Sequence, residues 1–145
     1  MKQTNSSDTI GRVTVDLELE MPVTYVDTTP EDVYHKIVVK ALYDSGIIDA
    51  SERRWREYSG YVCIDPVTKI VTEIYVDNIG TLTKTKFNKT RYCPKEYVQY
   101  SFHTHPKGYP VPSKTDMKTF TNRVGIYETG TCIVCRRGYF CMDDK

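Results

Sequence analysis

One stretch of the chain reads His103-Thr-His105-Pro-Lys-Gly-Tyr-Pro-Val-Pro-Ser113-Lys-Thr-Asp116. The segment before it, EYVQYSF at 96–102, predicts a β-strand, and side chains two positions apart on a strand lie on the same face. The two histidines at the end of this strand are therefore expected to point the same way. The prolines and the glycine between His105 and Ser113 exclude regular secondary structure in that loop. The serine, followed three residues later by an acid, predicts the start of a helix.

The two histidines and Asp116 are candidate ligands of a zinc ion. Two imidazoles and one carboxylate, with a fourth position open to water, are a recurring ligand set of catalytic zinc. Zinc lowers the pKa of bound water toward ~7, and a nearby carboxylate must still move that water's proton to the leaving group. Two other interpretations stay open from the residues alone: His103 and His105 as ordinary residues beside a Pro-rich loop, and Ser113 with Asp116 as a helix cap only. The remaining histidine, His35, is interpreted as structural or solvent-exposed.

Strands dominate the rest of the chain, because Val, Ile, Thr and Tyr are abundant and leucine is rare. The apolar stripe of one segment predicts a first helix over about 30–45, with Gly46 as its stop. Predicted strands lie at 13–20, 57–64, 69–78, 96–103, 131–135 and 139–143, and the second and third form a hairpin about a turn at 65–68. The order β-α-β-β-β-α-β-β predicts a single α+β domain with a mainly antiparallel or mixed sheet. Residues 1–12 are expected to be a polar lead and residues 13–145 the domain.

Composition excludes several classes of protein. The chain has 145 residues, a net charge of +1, 39% hydrophobic residues and a mean hydropathy of -0.49. This length is typical of one domain, and the apolar content is too high for a disordered tail. No stretch approaches the ~18 apolar residues of a spanning helix, and MKQTNSSDTIGR lacks the apolar core of a signal peptide. We therefore expect a cytoplasmic protein without a general nucleic-acid or membrane footprint.

Five cysteines are present, and their odd number without a signal peptide predicts reduced thiols in an intracellular setting. They are Cys63, Cys93, Cys132, Cys135 and Cys141. Cys132 and Cys135 lie three apart on a predicted strand and would face opposite sides, so they are not expected to share a metal ion. All five are interpreted as small buried hydrophobic residues.

These motifs resemble the JAMM, or MPN-plus, zinc metalloproteases. The family motif is an upstream Glu, then His-x-His, seven residues, Ser, two residues and Asp, and the spacing from His103 to Asp116 matches it in full. Glu57-Tyr-Ser-Gly60-Tyr-Val-Cys stands where the family has its upstream Glu, after the first long helix. The resemblance covers the chain from about residue 13 to its end. It implies an MPN/JAB-like domain, in which a cytidine-deaminase-like mixed β-sheet is flanked by helices.

The resemblance also implies roles for individual residues. The Zn²⁺ ligands would be His103, His105 and Asp116. Glu57 would be the general acid/base, and the Ser113 hydroxyl would help to stabilise the oxyanion. Three other glutamates compete with Glu57 for the role of base: Glu52, Glu73 and Glu96.

The implied activity is a minimal peptidase or isopeptidase that acts at the C-terminal tail of ubiquitin or of a ubiquitin-like or sulfur-carrier protein. The basic segment at about 81–95 stands where the family often has a substrate-clamping insertion. A cluster of its basic residues provides the candidate contacts for such a partner: Lys84, Lys86, Lys89 and Arg91. A solvated basic loop is the alternative interpretation. A non-catalytic MPN-type scaffold and a JAMM-like DNA-repair-associated protein stay open as other functions.

Overall fold

The computed structural model describes residues 2–7, 11–16, 33–82, 85 and 91–143. Within these ranges seven strands and three α-helices follow one another along the chain. They are β1 (Lys2–Ser7), β2 (Gly11–Asp16), α1 (Val33–Asp44), α2 (Ile47–Arg54), β3 (Tyr58–Ile64), β4 (Val71–Ile79), β5 (Val98–Thr104), α3 (Lys114–Arg123), β6 (Gly130–Cys135) and β7 (Gly138–Asp143).

The strands form one mixed sheet in the order β1-β2-β7-β6-β5-β3-β4. Every neighbouring pair in it is antiparallel except β5 and β6, which run parallel. Parallel strands cannot be joined by a tight turn, and here the connection between them carries α3. The predicted α+β class with a mainly antiparallel, mixed sheet is therefore confirmed.

Helices cover both faces of the sheet. On one face Val38 and Leu42 of α1 pack against a cluster that includes Phe102 of β5. On the other face Phe120 of α3 packs against a smaller cluster that includes Ile133 of β6. Because strand side chains alternate between faces, the neighbours of Phe102 in β5 point toward α3.

The helices differ from their prediction at one point. The apolar stripe is confirmed in α1, which ends at Asp44, whereas the predicted helix start at 30–32 lies outside the described residues. Gly46 does end this helix, with a positive φ of 82° that suits glycine, but the chain re-enters a helix directly as α2. Helix α2 was not predicted because its two turns are too short for a clear periodic signal. No helix in the described part of the chain is long and apolar enough to cross a membrane.

The strand predictions are confirmed to within a few residues from β3 onward. Asp65 Oδ1 accepts hydrogen bonds from the N–H groups of Val67 and Thr68, which closes the predicted hairpin turn. The N-terminal region differs, because residues 2–7 of the predicted polar lead form β1 and pair with β2. The rest of the predicted strand at 13–20, beyond Asp16, lies outside the described residues, as do residues 83–84 and 86–90 of the basic segment.

The expectation of reduced thiols is wrong for four of the five cysteines. Cys132 and Cys141 stand directly opposite each other on β6 and β7 and form a disulfide, and Cys63 of β3 is bonded to Cys93. Both pairings arise from strand register and chain return, which the cysteine count does not reveal. Disulfides are typical of oxidising compartments, so they give no support to the cytoplasmic expectation.

The fifth cysteine, Cys135, keeps its thiol in a buried position. Its Sγ lies 3.3 Å from the carbonyl oxygen of Gly138, and burial raises its pKa to about 11. Cys132, meanwhile, belongs to the cluster on the α1 face. The two cysteines therefore differ in state, since Cys132 is bonded to Cys141 and Cys135 is a free thiol.

Thiol counting tests this bonding pattern. We expect one thiol per chain when the protein is unfolded without reductant and five after reduction, because two disulfides and one free cysteine are present. The measurement is a colorimetric thiol titration with mass analysis of alkylated peptides. Five thiols before reduction would contradict both bridges.

Candidate metal centre

His103 and His105 lie at the C-terminal end of β5 and converge as the sequence predicts. The His103 side chain is fully buried, and its Nε2 lies 3.0 Å from Nε2 of His105. The backbone N–H of His105 donates to the carbonyl oxygen of Val134 at 3.2 Å, which extends the β5–β6 ladder past the strand end. Both imidazoles are thus aligned by strand pairing.

Asp116 reaches the histidines from the first turn of α3. Ser113 forms a capping box with it: Ser113 Oγ accepts from the Asp116 N–H, and Asp116 Oδ2 accepts from the Ser113 N–H, both at 3.0 Å. The same Oδ2 lies 3.5 Å from Nε2 of His103 and 3.5 Å from Nε2 of His105. The helix cap therefore also orients the carboxylate toward the imidazoles.

Glu57 directly precedes β3 and is 7% exposed. Its N–H donates to the Thr81 carbonyl at 2.7 Å, and its own carbonyl accepts from the Gly80 N–H at 2.8 Å. A carboxylate oxygen of Glu57 and one ring nitrogen from each of His103 and His105 lie within 4.8 Å of one another. The residue that the family resemblance selected thus lies beside the histidine pair.

The three competing glutamates lie elsewhere. Glu52 accepts from Arg136 Nε at 2.7 Å, and Glu73 accepts from the Tyr92 hydroxyl on the exposed side of β4. Glu96 is exposed before β5. The sequence left Glu57 as one of four candidates because only the sheet, by pairing β3 with β5, brings it to the histidines.

His35 lies on the other face of the sheet, in α1. It is fully buried, and its Nε2 lies 3.2 Å from Oδ2 of Asp143. The structural interpretation of this histidine is confirmed, and its position separates it from the His103 site.

The donor set fits a tetrahedral ion such as zinc. A zinc ion with ligand bonds of ~2.0–2.1 Å requires its ligand atoms to be about 3.3–3.4 Å apart. The observed separations among Nε2 of His103, Nε2 of His105 and Oδ2 of Asp116 are 3.0, 3.5 and 3.5 Å. Two nitrogens and one carboxylate oxygen thus match one face of a zinc tetrahedron in both chemistry and spacing.

A neighbouring contact selects the ligating nitrogen of His105. Its Nδ1 lies 2.8 Å from the carbonyl oxygen of Tyr109, and a carbonyl only accepts, so Nδ1 carries the hydrogen. The lone pair is then on Nε2, toward His103 and Asp116. Histidine ligands of metals are commonly oriented by such a second hydrogen bond. Tyr109 was missed in the sequence because a carbonyl contact leaves no residue-type signal.

The pKa values of the two carboxyl groups in the site, Glu57 and Asp116, are shifted in opposite directions. Burial raises the pKa of Glu57 to about 7, although His105 opposes this shift. Burial also acts to raise the pKa of Asp116, but the hydrogen bonds of His103 and His105 outweigh it and hold that pKa well below its usual range. Burial lowers the pKa of His103, which favours the neutral imidazole that binds metals. Asp116 is thus a charged carboxylate and a candidate ligand, and Glu57 is a carboxyl group that can change protonation near neutral pH.

An open cleft gives solvent and ligands access to the candidate metal site. Its lining residues are Glu57, Leu82, His105, Pro106, Lys107, Tyr109, Ser113 and Asp116. The exposed Ser113 hydroxyl accepts from the Asp116 N–H, so its own hydrogen remains available to a molecule in the cleft. All five site residues predicted from the sequence are therefore brought together at one place.

Comparison with protein-family models, curated proteins and solved structures gives no significant match.

Zinc content tests the centre directly. We expect one zinc ion per wild-type chain and none in His103→Ala, because two of the three ligand atoms cannot retain the ion against a competing chelator. The measurement is elemental analysis of protein that has been incubated with zinc and dialysed.

The matched control is His35→Gln, which removes a histidine from the other face of the sheet and is expected to keep the zinc. Loss of zinc in a folded His35→Gln variant, or its retention in His103→Ala, would contradict the assignment.

Proposed function

We propose that the protein is a zinc-dependent peptidase or isopeptidase of the JAMM type. Its substrate class would be a ubiquitin-like or sulfur-carrier protein, cleaved at the amide bond that follows its C-terminal tail. One observation carries the proposal: Glu57 lines an open cleft beside three candidate ligand atoms whose separations suit zinc. Metal-dependent amide hydrolysis requires metal ligands, a carboxyl group that transfers protons and a hydrogen-bond donor for the oxyanion, and this site offers a candidate for each.

The proposed mechanism assigns the proton transfers to Glu57. His103, His105 and Asp116 would hold the ion, which supplies Lewis acidity and lowers the pKa of attacking water toward ~7. Glu57 takes the proton from that water and returns it to the leaving amine. Because Glu57 is only 7% exposed, its carboxyl group has little contact with bulk solvent.

The oxyanion that develops on the substrate carbonyl needs a hydrogen-bond donor. Ser113 has one hydrogen that the capping box does not use, and it lies at the cleft surface. A preorganised donor of this kind stabilises the transition state more than the ground state. We therefore assign Ser113 two roles, as the cap of α3 and as the oxyanion donor.

The form of the cleft favours an extended substrate. Among the described residues it is bordered by Leu82, Pro106 and the ring of Tyr109, and Lys107 is the lysine that lines it. Glu57 is paired with the chain just beyond β4, which is the end strand of the described sheet. A flexible tail could add alongside this edge, where main-chain hydrogen bonds make few demands on side chains.

Only part of the basic segment is proposed to contact a protein partner. The Arg91 guanidinium donates to the carbonyl oxygens of Pro94, Lys95 and Tyr97, so it stabilises its own turn. Lys84, Lys86 and Lys89 lie outside the described residues. Contact with an acidic protein partner is therefore proposed for those lysines rather than for Arg91.

Glu57→Gln tests the assignment of the base. We expect the rate constant of hydrolysis to fall by ~10²–10⁴ while zinc content and folding are retained, because an amide cannot accept the proton. The assay follows cleavage of peptide-linked and lysine-linked extensions from a panel of ubiquitin-like proteins. Glu96→Gln, an exposed glutamate outside the site, is the matched control and should leave the rate unchanged. Equal rates in Glu57→Gln and wild type would remove Glu57 from the mechanism.

Ser113 substitutions separate the cap from the catalytic donor. Ser113→Ala is expected to lower kcat by ~10²–10³ and to reduce the free energy of unfolding by about 1 kcal/mol. Ser113→Thr keeps the hydroxyl and should recover most of both losses. Stopped-flow kinetics and urea unfolding give the two quantities. A stability loss without a change in kcat would leave Ser113 as a helix cap only.

A further inference from the structure

Thr104 lies between the two histidines in sequence but points to the opposite face of the sheet, toward α2. It is 1% exposed, and its Oγ1 lies 2.6 Å from the Oγ of Ser51. The same Oγ1 accepts a hydrogen bond from the Tyr58 N–H at 2.9 Å. Ser51 in turn donates its hydroxyl hydrogen to the Arg56 carbonyl at 2.6 Å.

The hydrogen count fixes the direction of every bond in this group. Ser51 has one hydroxyl hydrogen, which goes to the Arg56 carbonyl, so the Thr104 hydroxyl donates to Ser51 Oγ. Thr104 Oγ1 is then free to accept from the Tyr58 N–H. Each hydroxyl thus both donates and accepts, and the group is fully satisfied in a buried place, where an unsatisfied member would be costly.

The two backbone groups that are held belong to the residues on either side of Glu57. Arg56 is fixed through its carbonyl and Tyr58 through its N–H, while Glu57 itself is paired with Gly80 and Thr81. The backbone that carries the Glu57 carboxyl is therefore anchored on both sides. One anchor, Thr104, is covalently joined to both His103 and His105.

We propose that Thr104, acting through Ser51, is a positioning residue that sets the location of the Glu57 carboxyl relative to the two imidazoles. The group connects the end of β5 to the start of β3 at the point where the proposed proton transfer takes place. The expected effect on catalysis rests on the proposed function. Its structural content, the anchoring of residues 56–58, stands independently of any activity.

The expected effects follow from geometry. A displacement of about 1 Å between reacting groups lowers rates by up to ~100-fold, and loss of a group that orients a metal site commonly lowers activity ~10–100-fold. Thr104→Val keeps the shape of the side chain but removes both hydrogen bonds. Thr104→Ser keeps the hydroxyl, and Ser51→Ala breaks the same chain of bonds from its other end.

The experiment compares these three variants with the wild type in amide hydrogen exchange, zinc content, kcat and KM. In Thr104→Val the Tyr58 amide is expected to exchange roughly tenfold faster, because it loses its acceptor. Zinc content should be unchanged, kcat should fall ~10–100-fold and KM should hold. Thr104→Ser should restore both exchange protection and kcat. Ser51→Ala should lower kcat in the same way, and it provides the test if Thr104→Val does not fold.

The outcomes separate this inference from the proposed function. Wild-type exchange at Tyr58 in a folded Thr104→Val variant would overturn the inference, as would loss of zinc with unaltered exchange. Unchanged kcat in Ser51→Ala would overturn it as well. A rise in KM alone, with kcat unchanged, would also overturn it. If the wild type cleaves no substrate in the panel but the exchange pattern is as expected, the anchoring is supported and the hydrolase proposal fails.

Discussion

The parallel pairing of β5 with β6 is the constraint on which the site depends. Two parallel neighbours require a crossover, and this one leaves β5 at the histidines and returns through α3 before β6 begins. The first turn of α3 is thereby carried back over the end of β5, where Asp116 meets His103 and His105. The antiparallel partner on the other side of β5 brings Glu57 to the same end. The strand pairings on both sides of β5 thus assemble the proposed centre.

Local patterns in the sequence were sufficient for several parts of this arrangement. The twofold period of a strand predicted that two histidines one residue apart would converge, and the Ser113 cap predicted where α3 begins. The hairpin of β3 and β4 followed from the turn chemistry at Asp65. These features depend on residues within a few positions of one another, where stereochemistry alone restricts the chain.

Features that depend on the register between distant strands could not be predicted from local sequence patterns. Cys132 and Cys141 pair because β6 and β7 align them, and the same alignment gives no composition signal. Glu57 could be separated from the other glutamates by family resemblance only, since its approach to the histidines is produced by the β3–β5 pairing. The bonds from Thr104 to Ser51 and Tyr58 cross 53 and 46 positions, and nothing in a one-dimensional pattern indicates them.

The bridge between Cys63 and Cys93 has a consequence for the part of the chain that it encloses. It closes a covalent ring with a sequence separation of 30, which contains β4, the partners of Glu57 at Gly80 and Thr81, and the basic segment. A single cut of the backbone inside this ring leaves one molecule rather than two fragments. The chain between Cys63 and Cys93 can therefore be nicked without the two cut ends losing their covalent connection to the sheet.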